Sequence, residues 1–281
     1  MTMRDIVGSH DLLFVTLDTL RYDVAVEELA AGRLPNLARV LPEGWERRHT
    51  PGSFTFAAHS AFFAGFLPTP DTPGRHPRLF AARFGGSETT AEDTWVFDEP
   101  DLVAGLRKAG YRTVCVGGVG FFNPESRLGQ VLPGYFDEAY WSAATGVTDP
   151  DSFANQIAVA EQVVAAQPDD QPLFLFVNVP ALHQPNWFYL DGAIRAAGAG
   201  AGAGAAAGDT RASHAAALRY VDSQIGRLFT LMAARRACFT IVCSDHGTAY
   251  GEDGHVGHRI GHDVVWTVPY ADFVLPKGYE G

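Results

Sequence analysis

Three cysteines in 281 residues, no run of basic residues and no apolar stretch of bilayer length set the first limits on this sequence. Cys115, Cys238 and Cys243 are too few for a disulfide framework, and the last two lie in the apolar segment CFTIVCS, where free thiols act as small core hydrophobes. Thiol redox chemistry is not expected. Acidic residues outnumber basic ones 32 to 21, a net charge of −11 with His neutral. A surface of that sign repels nucleic acid and anionic lipid unless cations are gathered locally, so neither partner is expected. A membrane-spanning helix needs about 20 consecutive apolar residues. The start MTMRDIVGSHDLLFVTLD has no charged segment leading into a long apolar one, which makes the cytoplasm the default location. Internal repeats are absent, and low complexity is confined to AAGAGAGAGAAAGDT at 196–210. That Gly/Ala tract has little to pack and a high ordering entropy, so it reads as a flexible insertion within one domain spanning 1–281.

What is present argues for a globular α/β chain. With 47% hydrophobic and 19% charged residues there is enough apolar material for a large core. Four short apolar, β-branched or aromatic runs stand apart: LLFVTL at 12–17, TVCVGG at 113–118, LFLFVNV at 173–179 and FTIVCS at 239–244. Uninterrupted runs of this length read as strands buried on both faces. Helical patterns lie between them, at 100–111, at 149–168 ending on Pro168, and at 213–236, where Leu218, Val221, Ile225, Leu228 and Leu231 fall near helical spacing. Strands alternating with helices predict an α/β fold with a mostly parallel central sheet.

In such sheets ligands collect beyond the carboxyl ends of the strands. Asp18 follows the first run, and Asp245 with His246 follows the fourth, so two carboxylates and an imidazole converge if both strands are central and parallel. The segment SDHGTAYGEDGHVGHRIGHDVVWTVPY adds His255, His258 and His262 in a glycine-rich setting. Imidazoles and carboxylates suit zinc, manganese or magnesium, and ligand type alone does not choose among them. Thr55 opens the helix-compatible run TFAAHSAFFAG. It reads either as a plain N-cap or as a hydroxyl placed at a helix N-terminus, where an anion is favoured and a nearby metal would make it a nucleophile. The stretch at 117–136 is a candidate pocket wall, and so is HPRLF at 76–80.

Taken in order, VTLDTLRYD at 15–23, TFAAHSAFFAG at 55–65, GLRKAGYRTVCVGG at 105–118, VNVPALHQPN at 177–186, SDHG at 244–247, GEDG at 251–254 and VPY at 268–270 resemble the alkaline phosphatase superfamily. Within it they resemble the sulfatase-like branch that includes phosphoethanolamine transferases and lipoteichoic acid synthases. The resemblance implies a divalent metal held by Asp18, Thr55, Asp245 and His246, with Thr55 as nucleophile. It also implies His183 and His258 as groups that contact the phosphoryl oxygens, protonate the leaving group or hold a second metal. His59, Arg21 and His262 are candidate substrate contacts.

The implied activity is metal-dependent hydrolysis or transfer on a phosphate mono- or diester through a phospho-Thr55 intermediate, with a small-molecule phosphate ester as partner. Several positions depart from the pattern. Thr55, Ala57 and His59 stand where sulfatases carry Cys-x-Pro-x-Arg, which disfavours the formylglycine route to sulfate esters. Val179 replaces an Asp of the two-metal enzymes, and Ala58 replaces an Asn that helps hold phosphate. Two other readings stay open: a sulfatase-like hydrolase whose nucleophile is metal-bound water, and a non-catalytic relative that uses the groove to bind a partner.

Overall fold

A computed structural model of the chain describes residues 2–85, 91–190 and 208–281. Most of the Gly/Ala tract expected to form a flexible insertion therefore lies outside the described residues. In chain order the helices are α1 (Met3–Ile6), α2 (Tyr22–Ala30), α3 (Pro35–Val40), α4 (Thr55–Phe63), α5 (Leu102–Lys108), α6 (Ser152–Ala165), α7 (Arg211–Ala233) and α8 (Asp263–Trp266). The strands are β1 (Asp11–Leu17), β2 (Glu46–His49), β3 (Thr69–Pro70), β4 (Phe80–Ala82), β5 (Trp95–Phe97), β6 (Arg112–Val116), β7 (Glu138–Tyr140), β8 (Leu173–Val179), β9 (Cys238–Cys243), β10 (Ala249–Tyr250), β11 (Val256–Gly257) and β12 (Thr267–Leu275).

The four apolar runs become β1, β6, β8 and β9, the interior of an eight-stranded sheet in the order β3-β2-β12-β9-β1-β8-β6-β7. Strands β9, β1, β8, β6 and β7 run parallel to one another. Every residue of β1, β8 and β9 is buried, because helices cover both faces. Alternation along β1 splits the core. Leu13, Val15 and Leu17 face α2, α3, α6 and α7, whereas Leu12 and Phe14 face α4 and α5, with Phe14 packed 5.8 Å from Phe62 between ring centres. The far side of the sheet differs from a purely parallel reading: β12 pairs antiparallel with β9 and with β2, and β2 antiparallel with β3. Pro269 and Asp272 interrupt the apolar run in TVPYADFVL, so this strand has no continuous hydrophobic signature.

Register fixes what meets at the sheet edge. Thr16 stands opposite both Asn178 of β8 and Cys243 of β9, so the three strands end level. The loops that carry Asp18, His183 and Asp245–His246 therefore leave from one edge. At Gly118, just past β6, a Cβ would lie 2.4 Å from the Asn178 carbonyl oxygen and 2.6 Å from Pro180 Cδ. Glycine is required there for that loop to lie against the end of β8.

Candidate active site

Asp18, Asp245 and His246 are fully buried, and each offers a ligand atom within 4.8 Å of the others. The surrounding backbone aims them. Asp245 Oδ1 accepts the amide N–H groups of Thr19 at 3.1 Å and His246 at 3.0 Å, and Thr19 takes a left-handed φ of 65° to face it. Asp18 Oδ2 accepts from Asn178 Nδ2 at 3.0 Å. The remaining oxygens, Asp18 Oδ1 and Asp245 Oδ2, are buried without a hydrogen-bond partner. His246 Nδ1 donates to the Gly247 carbonyl at 2.9 Å; a carbonyl only accepts, so the proton is on Nδ1 and Nε2 presents its lone pair. Two orphaned carboxylate oxygens and one free imidazole lone pair at this separation fit a divalent cation.

The electrostatics agree. Burial, reinforced by the Asp245 charge, raises the Asp18 carboxyl to about 6, and burial raises Asp245 to about 7. Burial also lowers His246. Each shift disfavours the charged form of a group buried away from water.

Thr55 completes the cluster. The N-cap of α4 is Phe54, so Thr55 is the first helical residue and its hydroxyl does not cap the helix. Its Oγ1 lies 3.4 Å from Asp18 Oδ2 and 3.4 Å from His246 Nε2. The first intrahelical bond is from Ala58 N–H to the Phe54 carbonyl, which leaves the N–H groups of the first turn beside that hydroxyl as helix-terminal donors.

Thr55 opens into a cavity of about 340 Å³ lined by Val119, Gly120, Phe121, Ser126, Leu128, Val147, His183, His258 and Arg259. His183 Nδ1 donates to the Gln184 carbonyl at 2.6 Å, and its ring centre lies 5.6 Å from that of His258, which in turn is 4.6 Å from His246. Burial, then the neighbouring imidazoles and Arg259, lower His258 to about 3, so it is neutral. The β10–β11 hairpin, with Tyr250 opposite Val256, returns the chain so that His258 and Arg259 reach the cavity. A larger cavity of about 660 Å³ beside β2 and β3, where residues 76–79 lie, contains none of these groups.

Three expected substrate contacts are engaged elsewhere, and none of them lines the cavity. His59 is buried and pushed down to about 3 by burial; its Nδ1 donates to the Thr55 carbonyl at 2.7 Å and its Nε2 meets Thr16 Oγ1 at 2.9 Å. It braces Thr55 from beneath. Arg21 is buried in a fork on Asp23, at 2.9 and 2.8 Å, and also pairs with Glu252. His262 caps α8 through Nδ1, which accepts from Val264 N–H at 3.2 Å, and pairs with Asp253 through Nε2. Sequence reading gave no role to Asn178, which orients Asp18, or to Arg259. Val179, in the position of the missing Asp, is a buried core residue.

Residues 10–270 match the protein-family model described as Sulfatase. The chain belongs to the sulfatase family. This sulfatase-family chain is also similar in fold to several solved structures. The C-terminal periplasmic domain of the phosphoethanolamine transferase EptC from Campylobacter jejuni aligns with a TM-score of 0.61 at 11% identity, over 95% of this chain and 79% of that one. The C-terminal periplasmic domain of EptC from Escherichia coli, in complex with Zn, gives 0.59 at 13% identity, over 96% and 74%. The lipoteichoic acid synthase LtaP from Listeria monocytogenes gives 0.57 at 13%, over 98% and 67%. At these identities the likeness is one of fold. Among curated proteins, no sequence matches this one.

The cytoplasmic default is overturned by the same likenesses, since two of these structures are periplasmic domains. Among the described residues no helix is long and apolar enough to cross a membrane, and that says nothing about compartment.

Proposed function

We propose that this sulfatase-family protein is a metal-dependent phosphoryl-transfer enzyme that acts on phosphate esters outside the cytoplasm, with Thr55 as nucleophile. One observation carries the reading. The Thr55 hydroxyl is released from helix capping and stands 3.4 Å from Asp18 and from His246, at the mouth of the cavity. Asp18 Oδ1, Asp245 Oδ2, His246 Nε2 and Thr55 Oγ1 would hold the cation. When bound, it would acidify the hydroxyl and offset charge on the phosphoryl oxygens. Support for a cation comes from the two orphaned oxygens and from the zinc complex of the E. coli relative.

In the first step Thr55 Oγ releases its proton to solvent and attacks phosphorus, the ester P–O bond breaks, and the alcohol leaves with a proton from His183. The N–H groups at the start of α4 donate to the phosphoryl oxygens. With Nδ1 of His183 anchored on a carbonyl, Nε2 is the ring atom that gives and recovers the proton. In the second step the oxygen of water or of an acceptor alcohol attacks phosphorus, the Thr55 Oγ–P bond breaks, and Thr55 regains its proton. The cited transferases and synthase are named for phosphoethanolamine and lipoteichoic acid chemistry, which supports phosphate esters over sulfate esters.

The test is turnover of aryl phosphate mono- and diesters by zinc- or manganese-loaded protein, with Thr55→Ala and mass analysis of the peptide that carries Thr55. Thr55→Ala is expected to lose about 10³-fold or more in kcat, and wild type to carry one added phosphoryl group after quenching. Undiminished turnover in Thr55→Ala would assign the attack to water.

A further inference from the structure

Arg259 is held in place at a conformational cost and has no acidic partner among the described residues. Its φ of 69° is left-handed, where side-chain-bearing residues rarely sit, while Gly257 two residues earlier takes φ +86° without that penalty. The Arg259 amide donates to the Ser53 carbonyl at 2.9 Å, which ties it to the loop that leads into Thr55. In a chain with 32 acidic residues its guanidinium has no carboxylate partner among the described ones. It lies 5.6 Å from the ring centre of Phe54 and lines the cavity. A strained backbone that presents such a cation to a pocket points to an anionic ligand group.

The rest of the lining narrows the class. Val119, Phe121, Leu128 and Val147 form an apolar wall, and no Asp or Glu is among the described residues that line the cavity. Phe121 is braced against Phe54 and Phe56, at 6.2 and 5.8 Å between ring centres, so the wall is built into the loop packing. An ammonium-bearing ester group would find no carboxylate there and would meet Arg259 at the same cavity, whereas an uncharged apolar group would be desolvated against the wall.

We propose that Arg259 pairs with the phosphoryl group while the Val119–Phe121–Leu128–Val147 wall receives an apolar ester group, so that the substrates are phosphate esters of apolar alcohols or phenols and not of amino alcohols. This rests on the phosphoryl-transfer reading for turnover, though not for binding.

Two measurements separate them. The first is kcat/KM of metal-loaded wild type, Arg259→Ala, Arg259→Lys and Leu128→Asp on 1-naphthyl phosphate, hexyl phosphate and O-phosphoethanolamine. The second is calorimetric binding of 1-naphthyl phosphate to metal-loaded Thr55→Ala, with and without Arg259→Ala. Expected are a loss of about 10- to 100-fold on removing Arg259, in both kcat/KM and affinity, with partial retention in Arg259→Lys. Leu128→Asp should lower kcat/KM on the naphthyl or hexyl ester by roughly 5- to 10-fold and leave phosphoethanolamine unaffected or improved. The more sensitive of the two apolar esters identifies a phenol or an alkyl alcohol as the natural ester group.

Equal binding with and without Arg259, or a wild-type preference for phosphoethanolamine, would overturn the inference even if turnover is robust. Arg259-dependent binding without turnover of any ester would uphold it and bring down the phosphoryl-transfer reading instead.

Discussion

Asp11 opens β1 and Asp18 follows its last residue, so one strand carries a fully buried carboxylate at each end. At the amino end Asp11 Oδ1 accepts the Leu173 amide at 2.8 Å, Oδ2 takes Arg235 at 3.1 Å, and Arg236 stands 3.6 Å away. At the carboxyl end Asp18 faces a second carboxylate and two imidazoles, His183 and His246, and keeps one oxygen without a partner. Burial raises the carboxyl pKa at both ends, but only the amino end answers it with arginines. Burial of a charge is costly either way. One end is completed by the chain itself; the other keeps the unpartnered oxygen that the proposed cation site would use.

The widest separation between the two ends should come from substitution. Asp245→Asn removes a charge from the carboxyl end and is expected to abolish cation retention and lower turnover by about 10³-fold or more, while the metal-free fold is no less stable. Asp11→Ala strands Arg235 and should cost roughly 3 kcal/mol in urea unfolding while kcat/KM per folded molecule stays within about threefold. Equal effects of the two variants on activity would erase the contrast.

A second effect is in pH. Asp18 and Asp245 have folded-state values of about 6 and 7, above their ordinary 3.8. A raised acid contributes stability that is complete below its unfolded value and lost as pH rises through the folded one. Metal-free protein should therefore lose on the order of 7 kcal/mol between about pH 4 and pH 7. Zinc or manganese should restore it above pH 7, and Asp245→Asn should flatten the slope. Unfolding in chelator across this range, with and without added cation, measures it.

The smallest effect sharpens the comparison at one atom. Asn178→Ala removes the donor to Asp18 Oδ2 and is expected to weaken zinc affinity about tenfold in a competition titration against a chelating dye. No change would mean that Asp18 needs no orienting partner.

The parts of this molecule that could be read from its sequence share one property: a one-dimensional pattern that burial imposes directly. The runs at 12–17 and 239–244 could be placed as strands because a sheet covered on both faces requires unbroken apolar segments, and helix α7 kept its spacing through Leu218, Val221, Ile225 and Leu228. Asp18, Asp245 and His246 follow once β1 and β9 are neighbours. Strand β12 escaped because Pro269 and Asp272 break its pattern.

Among the histidines of the tail, His246 and His258 meet, while His255 is exposed and His262, its ring 6.1 Å from that of His255, is turned to capping α8. Glycine-rich spacing gave no way to tell them apart, since glycine leaves the backbone direction undetermined. His59 and Arg21 looked like ligand contacts because their residue types bind anions, and their buried partners became visible only in three dimensions.

Sequence alone determined the layer architecture, the two strand-end acids and the threonine at the head of a helix, because each depends on contacts close along the chain or on bulk hydrophobicity. Tertiary structure decided that Thr55 does not cap its helix, that Asn178 holds Asp18, and that Arg259 stands beside an apolar wall with no carboxylate partner among the described residues. Those outcomes depend on groups such as Asp18 and Asn178, 160 positions apart, meeting at hydrogen-bond distance, and no local pattern encodes such a meeting.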